Sequence, residues 1–186
     1  GIWVLGAYRY NKVLSTWIIE APERTWASAR TEVEHLSEPE LLAYMERLWA
    51  DRLGGHRLIS NKSVWRTFPT IRCEKWSFGN IVLLGDALHT AHFSIGSGTK
   101  LAMEDAIALA DALKGAESVP ASFTAFEAAR REEVEKTQHA ADVSVIWTEQ
   151  PHGYWHMEPL QAAFRMLSRS KQVSYENLRL RDPALI

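Results

Sequence analysis

The stretch Ile81-Val82-Leu83-Leu84-Gly85-Asp86-Ala87-Leu88-His89-Thr90-Ala91-His92-Phe93-Ser94-Ile95-Gly96-Ser97-Gly98-Thr99-Lys100-Leu101-Ala102-Met103-Glu104-Asp105-Ala106 decides how the rest of the chain is read. Its first four residues are a continuous apolar run, which suits a short strand buried on both faces, as in a parallel sheet. Gly85-Asp86 ends that run, and small, flexible residues follow. From about Thr99 to Leu113 the residues Ala102, Met103, Ala106, Ala110 and Leu113 recur every three or four positions, which predicts a helix. Gly96 and Gly98 permit positive φ and let backbone approach a ligand closely. The first turn of a helix leaves amide N–H groups unpaired, and its dipole favours negative charge nearby. Asp86, at the strand's C-terminal end, is placed to accept hydrogen bonds from hydroxyls. The combination suits a ligand with hydroxyls at one end and an anionic edge at the other.

Rival chemistries fit less well. A phosphate-binding P-loop needs glycine, lysine and then serine or threonine, whereas the order here is Gly98-Thr99-Lys100. A dinucleotide turn needs a third glycine where Leu101 stands, and it needs to follow its strand more closely. A serine-hydrolase elbow needs spacers that Gly96-Ser97-Gly98 lacks. Asp86, His89 and His92 are spaced by three, but in a loop that spacing means little and no fourth ligand is evident, so no metal is expected. A plain glycine-rich turn joining strand to helix stays open at this level.

Outward from this stretch, residues 2–10 and 13–20 are rich in Trp, Tyr, Val and Ile around Tyr10-Asn11-Lys12, which predicts a hairpin closed by Pro22. Ser37-Glu38-Pro39-Glu40 is a helix start with a cap, an early proline and a glutamate three residues after the cap. Leu41, Leu42, Tyr44, Met45, Leu48 and Trp49 continue at helical spacing until Gly54-Gly55. Residues 57–60 and 63–72 read as strands about a turn at Asn61-Lys62. Pro120 opens a helix running to His139 or beyond, and its charged run 130–136 reads as a solvent face. Pro151, Gly153 and Pro159 interrupt, and a last helix is expected over 160–169. The fold class is α/β with α+β mixing, built from parts of two subdomains.

Composition narrows the function classes. The 186 residues carry a net charge of −2 with both signs interspersed, which lacks the basic footprint of a nucleic-acid binder. Cys73 is the one cysteine, so no internal disulfide or four-cysteine zinc site is possible, in keeping with a cytoplasmic protein. No apolar run approaches 18 residues, so no membrane span is expected. The strand-like opening Ile2-Trp3-Val4-Leu5 and the ending Asp182-Pro183-Ala184-Leu185-Ile186 read as cuts in a longer chain.

Gly85-Asp86-Ala87-Leu88-His89, Gly96-Ser97-Gly98 and Ala102-Met103-Glu104-Asp105-Ala106 together resemble the second FAD motif of the flavoprotein aromatic hydroxylases of the para-hydroxybenzoate hydroxylase type. The longer run from His92 to Ala106 is similar to a subgroup: the monooxygenase part of salicylyl-CoA 5-hydroxylase and 2-aminobenzoyl-CoA monooxygenase, and the tryptophan-derivative hydroxylases of violacein biosynthesis. Glu23-Arg24-Thr25-Trp26, Gly55-His56, Ser63-Val64-Trp65-Arg66-Thr67-Phe68-Pro69 and Trp76 look like that subgroup's substrate-side sheet. Glu176-Asn177-Leu178-Arg179-Leu180-Arg181-Asp182-Pro183 looks like the end of the monooxygenase part, where an Old Yellow Enzyme-type reductase domain follows in the thioester enzymes.

The resemblance implies residues 1–76 as part of a substrate-binding sheet and 77–186 as the C-terminal part of an FAD-binding domain with a helical end. It implies FAD as cofactor and NAD(P)H as reductant. Oxygen would add at flavin C4a, and the hydroperoxide would transfer OH to the ring of a small aromatic substrate such as the CoA thioester of salicylate or 2-aminobenzoate. Asp86, after Gly85, would bind the ribityl hydroxyls. The backbone around Gly96, Ser97, Gly98, Thr99 and Lys100 would face the flavin's N1 and C2 carbonyl. His92 and Phe93 stand where many members have proline, and they are the candidates for lining the pocket beside C4a. For Trp65, Phe68 and Tyr8 two roles are open, facing substrate or filling a core. The family's Gly-x-Gly-x-x-Gly turn, expected in an N-terminal βαβ segment, has no counterpart in this chain. A tryptophan-derivative hydroxylase of the violacein-pathway type, an isolated piece unable to hold FAD, and a flavoprotein that oxidises without hydroxylating are the alternatives.

Overall fold

Asn11 shows how the first element forms. Its Oδ1 accepts the amides of Val13 (2.8 Å) and Leu14 (2.7 Å), which folds the tip between β1 (Val4–Arg9) and β2 (Ser15–Glu20). The strands pair antiparallel, Val4 opposite Glu20 and Arg9 opposite Ser15. The computed structural model describes residues 1–170 and 173–184; Leu185 and Ile186 of the expected chain end lie outside the described residues. Its contacts divide the chain into two units, Gly1–Thr67 and Phe68–Ile186.

In the first unit the hairpin is followed by α1 (Glu23–Val33), α2 (Glu38–Leu48) and the short α3 (Ala50–Leu53). The capping box expected at Ser37 forms: the Glu40 carboxylate accepts the Ser37 amide at 2.8 Å and its hydroxyl at 2.5 Å. Gly54 ends α3 in the left-handed region, φ +56°. Glu23–Trp26, read by resemblance as part of a substrate-side sheet, instead open helix α1, which 23–33 has too few apolar residues to announce by period; it buries only Thr25 and Val33. Met45 and Leu53 are also buried, and the indoles of Trp3 and Trp26 pack on Trp65 at 5.6 and 4.9 Å.

The strands expected over 57–60 and 63–72 do not form. Most of this stretch is exposed, so water can satisfy its backbone without a ladder, and side chains take a few of its groups. Glu46 takes the Leu58 amide (2.8 Å), Thr90 Oγ1 takes the Ile71 amide (2.7 Å), and Gln138 Nε2 donates to the Ile71 and Thr90 carbonyls (2.8 Å each). Only one bridge, Arg72 to His89, has strand character.

The second unit begins with β3 (Ser77–Phe78) and β4 (Ile81–Val82), a two-residue antiparallel ladder. The expectation that 81–84 is buried on both faces, as in a parallel sheet, is therefore corrected. Ile81 is 62% exposed and Leu84 36%, while Val82 and Leu83 pack inward. The physical reason is that, among the described residues, this is a two-residue ladder packed only on the Trp76–Leu88 core, and no further layer covers Ile81 and Leu84.

Helices α4 (Gly98–Gly115) and α5 (Val119–Thr148) pack on each other around Trp76, Leu88, Leu101, Phe126 and Val134. Ser118 caps α5 through the Ala121 amide, with Pro120 in the first turn. Helices α6 (Pro159–Ser168) and α7 (Tyr175–Arg181) complete the described residues. The charged run 130–136 is not one solvent face. Arg130 and Val134 are buried with Phe126 at i, i+4 spacing, and Arg131 lies over the Trp76 ring at 5.0 Å. The result is a mixed helix and small-sheet architecture, consistent with α/β. Among the described residues no helix is long and apolar enough to cross a membrane.

Candidate functional site

The loop between β4 and α4 starts from a constrained turn. Gly85 has φ +58°, and a Cβ there would lie 3.2 Å from the Ala102 Cβ, so the 3-10 turn Gly85–Ala87 sits directly on α4. Asp105, on α4 and 0% exposed, holds the turn in place. Its carboxylate takes the Gly85 N–H at 3.0 Å, meets His89 Nε2 at 2.7 Å and takes Arg130 Nε at 3.1 Å. A buried carboxylate persists where several donors replace its lost water. Arg130 also donates to Glu104 at 2.9 Å, and Lys100 pairs with Glu104 at 2.6 Å. The Lys100 ammonium, helped by Arg130 and opposed by burial, keeps the Glu104 carboxyl below the usual carboxylate range. His89 is thus a packed histidine under the loop.

The other end of the loop is open. The turn Phe93–Ile95 ends at Gly96, φ +63°, and then α4 begins. Ser97 occupies the N-cap position, but its hydroxyl donates to the Ile95 carbonyl at 3.3 Å and leaves the helix uncapped. The first-turn amides of Gly98, Thr99 and Lys100 have no intrahelical acceptor, and no acidic side chain stands in that turn. A Cβ at Gly96 or Gly98 would meet nothing within 4 Å. Asp86 is exposed and its carboxylate makes no hydrogen bond among the described residues. The Lys100 side chain is turned to Glu104, leaving its backbone as the part that faces the loop.

His92 and Phe93 stand together, ring centroids 4.6 Å apart, with Phe68 at 5.1 Å from Phe93 and edge-on to His92 at 6.5 Å. Burial lowers the His92 pKa below the usual histidine range, and the charge of Glu149 acts the other way. The turn that follows is pinned from α5 and from the end of α6. Ser94 Oγ and the buried Ser144 Oγ are 3.0 Å apart, and Arg169 donates to Ser144 Oγ (2.9 Å) and to the Ser94 carbonyl (2.7 Å).

Gly85, Asp86, His92, Phe93, Gly96, Ser97, Gly98, Thr99 and Lys100 thus fall on one turn–loop–helix of the second unit. Trp65 packs within the first unit, and Tyr8 there is exposed. Among the described residues no group of three or more His, Cys, Asp or Glu side chains is gathered for a metal. Asp105 and Arg130 escaped the sequence reading, although a signal existed. Each puts a charge at i, i+4 spacing from core residues, Asp105 from Leu101 and Arg130 from Phe126 and Val134. Ser144 and Arg169 had no local signal.

Residues 11–144 match the family described as FAD binding domain. This chain belongs to that family. The resemblance carried by Gly85 to Ala106 is borne out at this level, and the site residues suit the cofactor. An uncapped helix N-terminus, two glycines with open space above them and an outward carboxylate match an electron-rich ring edge and a polyhydroxyl chain. The chain is 40% identical over its whole length to a salicyloyl-CoA 5-hydroxylase from Streptomyces sp, of which it spans 37%. It is 42% identical, over 77% of the chain and 37% of the relative, to a 3-hydroxy-4-methyl-anthranilyl-[aryl-carrier protein] 5-monooxygenase from Streptosporangium sibiricum. It is 35% identical, over 92% of the chain and 46% of the relative, to protodeoxyviolaceinate monooxygenase of Chromobacterium violaceum. The chain therefore spans less than half the length of these relatives.

Proposed function

We propose that this chain carries the flavin-ring side of the FAD site in an NAD(P)H-dependent monooxygenase that hydroxylates an aromatic acyl thioester, of the salicylyl-CoA or 2-aminobenzoyl-CoA kind. The observation that carries the reading is the uncapped N-terminus of α4 beside Gly96, with the exposed carboxylate of Asp86 across the same loop. Asp86 would accept hydrogen bonds from the ribityl hydroxyls. The amides of Gly98, Thr99 and Lys100 would stabilise negative charge on the N1 and C2-carbonyl edge, and no side chain is needed for it. Gly96 and Gly98 let that backbone come close. Bound FAD would supply hydride acceptance from NAD(P)H and the activation of oxygen. His92, Phe93 and Phe68 would wall the reacting face and keep water from it.

The thioester assignment draws on two relatives whose names specify CoA-linked and carrier-protein-linked aromatic substrates. A tryptophan-derived substrate is the second reading, favoured by the match to protodeoxyviolaceinate monooxygenase over 92% of the chain. In either case the ADP half of FAD would be held by a segment N-terminal to this one. Residues 1–76 would contribute to the substrate side and 77–186 to the FAD domain; under the thioester reading a reductase domain of the Old Yellow Enzyme type would follow in the parent chain.

The test uses the full-length protein with FAD, NADPH or NADH, and each thioester. Oxygen uptake matched by hydroxylated product is expected. Uptake that ends only in peroxide would instead support an oxidase, and no uptake above background with any of these substrates would sink the monooxygenase reading.

A further inference from the structure

His92 is the N-cap of the turn Phe93–Ile95, and its Nδ1 accepts the Ser94 N–H at 3.3 Å. A ring nitrogen that accepts carries no proton, so a neutral His92 must carry its proton on Nε2. The ring is half-buried against Phe93 and Phe68, which disfavours the cation. Ser94 cannot easily turn away, because Arg169 holds its carbonyl and Ser144 its hydroxyl. Nε2 makes no hydrogen bond among the described residues. Phe68 is 55% exposed, so this aromatic cluster opens outward. A single oriented donor on an aromatic wall is the way small-molecule sites select a ring substituent.

We propose that His92 determines specificity by donating its Nε2–H to an oxygen borne on the ring of the aromatic substrate, with Ser94 setting the tautomer and Arg169 positioning Ser94. This rests on the monooxygenase reading above and adds to it the substituent the site requires.

Two measurements on the full-length, FAD-loaded enzyme test it. In protein labelled with 15N-histidine, the His92 signals, assigned by their loss in His92→Gln, should show the neutral Nε2–H form at pH 7.5, and Arg169→Leu should mix the tautomers. A cationic or Nδ1–H ring in the wild type overturns the proposal. Equilibrium titration then compares salicyloyl-CoA with benzoyl-CoA, which lacks the ring hydroxyl. The wild type should prefer the hydroxylated thioester by roughly three- to tenfold, as one neutral hydrogen bond allows. His92→Phe should bring the ratio close to one, and His92→Gln, which keeps an N–H donor, should retain part of it. An unchanged ratio in His92→Phe, or an equal loss for both thioesters, overturns the ring-oxygen assignment. If the enzyme holds FAD but binds neither thioester, the thioester reading fails. The same titration with salicylate and benzoate then decides the donor, by the same ratio.

Discussion

The buried carboxylate of Asp105 takes the backbone N–H of Gly85 at 3.0 Å, so one side chain on α4 fixes the turn from which Asp86 projects. The same carboxylate meets His89 and Arg130, and Arg130 reaches Glu104, the partner of Lys100 in the first turns of the helix. Both ends of the candidate flavin loop are thereby tied to one ionic cluster under it.

Removing Asp105 should be costly. Asp105→Ala leaves Arg130 buried with one of its two carboxylate partners gone and the Gly85 amide without an acceptor. The expected loss is about 3–5 kcal/mol, the usual result of breaking a buried pair from one side. Asp105→Leu combined with Arg130→Met should recover much of that, since apolar replacement of both partners is often nearly neutral. Urea denaturation of the three proteins checks this, and a double variant no more stable than the single would argue against the pair as the cause.

Gly85→Ala should destabilise for a separate reason. The new Cβ meets Ala102 at 3.2 Å, and an L-residue at φ +58° pays about 1–2 kcal/mol in backbone energy. Thermal unfolding should show a lowered midpoint. At Gly96, also at positive φ but with nothing within 4 Å, the backbone penalty stands alone, so Gly96→Ala should cost less.

Asp86→Ala should behave in the opposite way to Asp105→Ala. The Asp86 carboxylate is exposed and makes no hydrogen bond among the described residues, so stability should change by less than about 0.5 kcal/mol. If it binds the ribityl hydroxyls, FAD affinity of the full-length protein should fall roughly tenfold or more, as expected for hydrogen bonds to a charged group. Fluorescence titration of FAD measures this, and equal affinity in both proteins would remove Asp86 from the site.

These contrasts also show what was legible in the sequence. Helix α2 was, because Ser37 and Glu40 complete a local cap, and α4 was, because its apolar period is long. The hairpin was, because Asn11 and the flanking strand formers agree. The strands expected over 57–72 were not, since propensity says nothing of whether a ladder partner exists; most of the stretch is exposed, and Glu46, Thr90 and Gln138 take backbone groups of Leu58 and Ile71. The glycine-rich turn leading into α4 was readable from local chemistry. The supports beneath it were not, because Arg130 and Arg169 reach across 25 and 75 residues to Asp105 and Ser94. The run at 130–136 misled because it was taken as a block, when on a helix each position faces its own way.

The last prediction concerns pH. Burial depresses the His92 pKa in the folded protein, with Glu149 acting in the other direction, while the unfolded chain keeps a value of about 6.5. Above about 6.5 both states hold His92 neutral, and it contributes no pH dependence. Below that, the unfolded state takes up a proton that the folded state refuses, so stability falls as pH falls towards the depressed folded value and levels off beneath it. His92→Gln has no such group. The stability difference, wild type minus His92→Gln, should therefore be flat at pH 7–8 and decline below about pH 6.5. Chemical denaturation at matched ionic strength across pH 5–8 measures it. A difference that grows as the pH drops would mean that Glu149 outweighs burial and that His92 is held as a cation, which would also remove the neutral Nε2–H donor from the pocket.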